Sequence, residues 1–109
     1  METISFDDFK KVEMRIGKIV AAEPLPDSNK LLKLQVDFGT EKRQILAGIA
    51  KFYNPEQLIG KLSPFAFNLA PKMMGTNESQ GMILCADSGD GDPVLLNPDK
   101  EIPPGSLIK

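Results

Sequence analysis

Asn54-Pro55-Glu56-Gln57-Leu58-Ile59-Gly60 spells out a whole helix in miniature. Asn54 is a residue type that caps helix N-termini, Pro55 takes the first helical position, where no amide donor is needed, and Gly60 ends the run. On both sides of this segment the pattern turns from helical to alternating. Upstream, Lys30 to Phe38 and Arg43 to Ile49 form two strands joined by Gly39-Thr40-Glu41-Lys42. Leu32, Leu34, Val36 and Phe38 point one way, while Leu31, Lys33, Gln35 and Asp37 point the other. Downstream, Lys61 to Leu69 is an apolar strand with Pro64 near its start, where a ladder donor can be spared.

One step further out, Val12, Met14 and Ile16 alternate with Glu13, Arg15 and Gly17, and Ile19 and Val20 follow Lys18 in broken phase. A strand from Val12 to Leu25 with a bulge or strong bend near Gly17 is expected. Pro24, Pro26, Asp27, Ser28 and Asn29 then make a turn. On the other side, Met82 to Ala86 is the fifth strand, Asp87 to Asp92 a turn and Pro93 to Leu96 a further short strand. Pro98, Pro103, Pro104 and Gly105 mark an extended tail. Five strands, a long bent first one and a short helix between the third and fourth predict an all-β chain with short helices. The expected architecture is the OB-fold, a five-stranded Greek-key barrel with N- and C-terminal extensions. One domain is expected over 1–109, with the barrel at about 12–97. Ser5 is a plausible cap for a short turn through Phe6, Asp7, Asp8, Phe9, Lys10 and Lys11. Phe6 and Phe9 share a face there, suited to covering the core or meeting a second subunit.

With 41% hydrophobic and 26% charged residues the chain is expected to be globular. A core this small makes a dimer physically attractive. Cys85 is the single cysteine, which excludes an internal disulfide and suits a reducing compartment. No apolar run approaches the roughly 18 residues of a membrane span. The N-terminus lacks a signal peptide's basic start, so a cytoplasmic protein with no membrane partner is expected. Histidine is absent, which removes Ser-His-Asp triads, Cys-His pairs and ordinary Cys/His zinc sites. Gly89 and Gly91 lack the strand–loop–helix setting of a phosphate cradle, and Asp7/Asp8 and Asp90/Asp92 read as solvated pairs. No catalytic residue, metal ligand or cofactor is expected, and the class indicated is a binding module.

The net charge of −2 conceals a gradient, from neutral over Met1–Arg43 through +2 over Gln44–Gly75 to −4 over Thr76–Lys109. A basic face outside the tail is compatible with that distribution. Lys33 and Arg43 are expected on one outer face of the hairpin, with Lys30 at its rim, although such charges ordinarily mark a solvated strand face. The connection from Asn68 to Cys85 holds Lys72, Met73, Met74, Gly75, Asn77, Ser79, Gln80 and Gly81. Its plain reading is a β-connection with exposed methionines, but loops on a rigid sheet are also where binding groups concentrate.

Several spaced segments, in order over most of the chain, carry a resemblance. Val12-Glu13-Met14-Arg15-Ile16-Gly17-Lys18-Ile19-Val20 resembles the opening strand of the tRNA-binding domains of methionyl-tRNA synthetase, of free-standing tRNA-binding proteins and of EMAP-like domains. Lys30 to Gly39 is similar to their second strand. Ala47-Gly48-Ile49, Tyr53, Pro55-Glu56 and Ile59-Gly60-Lys61 follow their middle, and Asn68-Leu69, Pro71 and Glu78-Ser79-Gln80-Gly81-Met82-Ile83-Leu84 are similar to their most specific signature. The resemblance implies a dimeric OB-fold that grips the outside of the tRNA elbow with little sequence preference. It implies tRNA contact by Ser79 and Met82 and basic positions at Lys30, Lys33, Arg43 and Lys72. Met73 and Gly75 stand where many relatives are cationic. The expected function is therefore non-catalytic, structure-specific tRNA binding by a homodimer, free-standing or as a β-type subunit of methionyl-tRNA synthetase. The competing expectations are a CsaA-type export chaperone, whose signature resembles Ser-Glu-Val-Leu where this chain has Ser79-Gln80-Gly81-Met82, and a structural dimerisation module of a synthetase.

Overall fold

A computed structural model describes residues 1–109. Its sheet is built on the hairpin that alternates most cleanly, β2 (Leu32–Asp37) with β3 (Lys42–Ala47), in which Leu34 faces Ile45 and Val36 faces Arg43. The long first strand, β1 (Met14–Pro24), pairs with β2 along its second half and with β4 (Leu62–Ala66) along its first. Sharing one strand between two partners in this way curls the sheet. β7 (Met82–Ile83) adds to β4, giving the order β3-β2-β1-β4-β7. Gln80 draws the two ends together. Its N–H donates to the Gln44 carbonyl at 2.8 Å, and its Oε1 accepts from the Gln44 N–H at 3.0 Å. The result is the expected OB-fold.

The short helix lies where the barrel calls for it. α2 (Pro55–Leu58) connects β3 to β4, packs on β1 and buries Leu58 completely. Gln57 reaches back to accept the Asn54 N–H at 2.8 Å. Gly60, at φ +91°, donates its N–H to the Ile19 carbonyl. Ile19, Leu32, Leu34, Val36, Ile45 and Phe65 fill the interior, and Phe38 meets Phe65 and Phe67 edge-on at 5.4 and 5.0 Å. No helix is long and apolar enough to cross a membrane.

Four features differ from the sequence reading. The irregularity in β1 falls between Ile19 and Ala21, so Val20 and not Gly17 is the extra residue. Gly17 is needed for packing: a Cβ there would lie 2.5 Å from Val36 Cγ1 and 2.7 Å from the Phe38 ring. The expected fifth strand splits. β7 stays with β4, while β8 (Cys85–Asp87) leaves to pair with β9 (Pro93–Leu95) across a turn where Asp87 accepts the Gly89 and Gly91 N–H groups. The connection after β4 contains a hairpin of its own, β5 (Lys72–Met74) with β6 (Asn77–Ser79), turning at Gly75 with φ +64°. The tail also returns as β10 (Leu107–Ile108), opposite Met14 and Arg15, on the side of β1 that β2 leaves free.

At the N-terminus, α1 (Phe6–Lys10) is capped by Ser5, whose Oγ accepts the Asp8 N–H at 3.0 Å. Asn68 ties the following segment to the end of β4: its Oδ1 accepts the Glu13 N–H at 2.8 Å and its Nδ2 donates to the Lys11 carbonyl at 2.6 Å. Asn68→Ala is expected to cost about 1 kcal/mol in urea denaturation. It should also speed hydrogen exchange at the Glu13 amide, leaving the barrel amides protected.

Candidate nucleic-acid interface

Directly opposed residues of an antiparallel pair share a face. Lys33 faces Leu46, Gln35 faces Gln44 and Asp37 faces Lys42, so these six side chains make the outer surface of the β2–β3 hairpin. Leu46 is nevertheless buried, because the β5–β6 hairpin folds over it. The Leu46 N–H donates to Ser79 Oγ at 3.0 Å, Ser79 Oγ donates to the Gly81 carbonyl at 3.0 Å, and Gln44 Nε2 donates to the Glu78 carbonyl at 3.0 Å. Between this hairpin and the sheet runs a groove of about 320 Å³ bordered by Leu69, Lys72, Met74 and Met82, with Ser79 in its wall.

The predicted site residues thus divide. Lys72, Ser79 and Met82 come together in one groove, with Lys72 exposed and Met82 48% exposed. Ser79 is only 3% exposed and its hydroxyl both donates and accepts within the chain. Both bonds tie the hairpin to β3 and to the Gly81 turn. Lys33 lies on the outer surface, its Nζ 3.0 Å from Glu23 of β1. Lys33 is half-buried and Glu23 is exposed; a pair open to solvent on one side holds weakly, by about 1 kcal/mol or less, so Lys33 can exchange partners. Lys30 is exposed beside the same surface.

Arg43 corrects the sequence reading. Because it faces Val36, it points to the opposite side of the hairpin from Lys33, and the two do not share an outer face. Its guanidinium lies 3.5 Å from the Phe67 ring centroid, donates to the carbonyls of Phe67 and Gln80, and pairs with Glu41 at 3.0 Å. Arg43 is a clasp across the barrel seam. Lys42 takes the outward position instead.

Two further clefts were not anticipated residue by residue. Phe6, Phe9, Val12, Met14, Leu107 and Ile108 line an apolar cleft of about 370 Å³ between α1, β1 and β10. At the other end of the β2–β3 surface, Lys30, Leu31, Gly48, Lys51 and Phe52 line one of about 340 Å³. An aromatic beside a lysine, Lys51-Phe52, is the only trace of the second in the sequence. Two acidities are displaced, both on the β8–β9 ribbon: burial pushes the Cys85 thiol up, and the Ser88 hydroxyl holds the Asp90 carboxyl down.

Small barrels of the OB architecture include domains that bind oligonucleotides and oligosaccharides across the β2–β3 face. The chain belongs to the family described as "Putative tRNA binding domain", whose model matches residues 14–107. It is 56% identical over 106 residues to the methionine–tRNA ligase of Thermotoga maritima, covering 96% of this chain and 16% of that protein. The chain spans 16% of the length of each of three such curated relatives. Among solved structures, it is similar to a MetRS related protein from Pyrococcus horikoshii, with TM-score 0.95, 41% identity and full coverage of both chains. It is also similar to the chaperone CsaA of Bacillus anthracis, with TM-score 0.90, 36% identity, and coverage of 99% of this chain and 100% of that one.

Proposed function

We propose that this chain binds tRNA without catalysing a reaction, as a homodimer, either free-standing or as an accessory subunit of methionyl-tRNA synthetase. The observation that carries the reading is the family match across 14–107, falling on a barrel whose Lys72 and Met82 are presented together at one groove. Structured RNA is recognised largely by shape, backbone and 2′-hydroxyl groups. Lys30, Lys33 and Lys72 hold phosphates, Met82 adds an adaptable apolar contact, and Ser79 and Arg43 keep the surface in shape. The apolar cleft of Phe6, Phe9, Met14 and Leu107 is where a second copy docks. Pairing doubles the basic surfaces and raises apparent affinity through linked sites, which matters for a chain of net charge −2.

A chaperone reading has its own support in the likeness to CsaA and in the exposed Leu69, Met73 and Met82. A gel shift with bulk tRNA over a salt series, beside sizing chromatography, separates the two. The expected result is a particle of twice 11.9 kDa that retards tRNA at low salt and releases it as salt rises. A dimer that leaves tRNA unretarded at low salt, yet suppresses aggregation of a denatured protein, sinks the tRNA reading in favour of the chaperone.

A further inference from the structure

We infer that the corner formed by Lys30, Leu31, Gly48, Lys51 and Phe52 is a pocket for one unpaired nucleobase, with the Phe52 ring as its stacking surface and the two lysines on the flanking phosphates. The inference rests on the nucleic-acid reading above and adds to it a requirement for a single-stranded nucleotide.

Gly48 is the first observation. Seven glycines of the chain have positive φ and Gly48 is not among them, so its backbone does not ask for glycine. Packing does not ask for it either, since a Cβ at Gly48 would meet nothing within 4 Å. A glycine the fold has no use for, in the lining of a cleft, leaves room for another molecule to approach the backbone closely.

Phe52 is the second. Its N–H donates to the Ile49 carbonyl at 3.0 Å, and the next residue is held at both ends, Tyr53 N–H on the same carbonyl at 3.1 Å and Tyr53 Oη accepting the Leu95 N–H at 3.2 Å. The turn is therefore fixed while the Phe52 side chain remains 46% exposed. The Ala50 N–H donates to the Lys30 carbonyl at 3.1 Å, stapling this turn to the loop that carries Lys30 and Leu31. A rigid mount for an exposed aromatic is what a stacking platform requires.

Charge selects the ligand. The chain's four ion pairs are Lys11–Asp8, Arg15–Glu13, Lys33–Glu23 and Arg43–Glu41, so Lys30 and Lys51 are both unpaired. No carboxylate lines the cleft. Two free cations beside a flat ring and a bare glycine fit a planar group on an anionic backbone better than an aliphatic side chain. The volume falls within the range of roughly 300–1,000 Å³ usual for small-ligand clefts. A base locked in a duplex has no free face to offer, so the ligand is a looped-out or single-stranded nucleotide.

The test is fluorescence anisotropy with labelled single-stranded hexauridylate and hexaadenylate, a duplex of the same length and, in parallel, bulk tRNA. The single strands are expected to bind more tightly than the duplex. Gly48→Val, which occupies the floor, and Phe52→Leu, which keeps the apolar bulk but removes the ring, should each weaken hexamer binding about tenfold. Circular dichroism and thermal melting verify folding, and if Gly48→Val unfolds, Phe52→Leu decides. Both folded variants binding the hexamers as tightly as the parent overturns the pocket. So does a loss confined to Lys30→Ala and Lys51→Ala, which would reduce the corner to a patch of charge. Retarded tRNA with no preference for single strands overturns the pocket while leaving tRNA binding standing; failure to bind either removes both.

Discussion

Arg43→Ala should destabilise the folded chain by about 3 kcal/mol. A hydrogen bond from a charged donor is worth roughly 1.5–3 kcal/mol and a well-stacked cation on an aromatic roughly 0.5–2. Arg43 makes both kinds of contact at once, donating to the Phe67 and Gln80 carbonyls while lying over the Phe67 ring. Truncation strips the carbonyls of a donor at the seam that Gln80 closes onto Gln44. Against a total stability of about 5–15 kcal/mol the loss is large. Urea denaturation should report it as a lower midpoint at unchanged slope. Lys33→Ala is the contrast, since the half-buried Lys33 makes one ion pair, with the exposed Glu23, and its stability should stay within about 1 kcal/mol of the parent. At a temperature where both variants are fully folded, tRNA binding should fall for Lys33→Ala and be largely kept by Arg43→Ala. An Arg43→Ala chain of undiminished stability that has lost tRNA would make Arg43 a direct contact and refute its role as a clasp.

The side that Arg43 takes is legible in the residue alternation, and it is the opposite of the face shared with Lys33 that is expected above. Arg43, Ile45 and Ala47 are alternate residues of β3, and the last two are buried. A charged residue at the head of an apolar series belongs to the apolar face, at its rim, where an arginine can lay its stem on an aromatic. The helix at Asn54–Gly60 and the two strands before it were readable because each spans enough residues to show its period or its caps. The β5–β6 hairpin, β7 and β10 have two or three residues each, less than is needed to alternate. β7 and β10 also pair with strands distant along the chain, such as Leu107 opposite Arg15. The site shows the same limit. Lys72 and Met82, expected from the resemblance, lie together at one groove and are both exposed. Ser79 comes from the same signature, but it is buried and its hydroxyl serves the Leu46 and Gly81 backbone. Gly48 could be singled out only after the backbone showed that nothing in the fold requires it.

Removing Lys30, Lys33 and Lys72 together should weaken tRNA binding by two to three orders of magnitude, on the order expected for losing three phosphate contacts at moderate salt. The dependence on local cations follows from the charge gradient: with −4 on the last third of the chain, whole-molecule attraction to a polyanion is absent and affinity rests on the few lysines that reach the backbone. The diagnostic quantity is the slope of log K against log salt, which changes by roughly 0.7–0.9 per phosphate contact. Three lost contacts should flatten it by about 2–3 units for each protomer face engaged. Because phosphates carry no sequence information, the loss should be the same for every tRNA tested. All three lysines are away from the barrel interior, and Lys30 and Lys72 make no ion pair within the chain, so the variant should melt close to the parent. An unchanged slope with reduced affinity would mean that these lysines are not on phosphates. A loss confined to one tRNA would mean that the surface reads bases, contrary to recognition by shape.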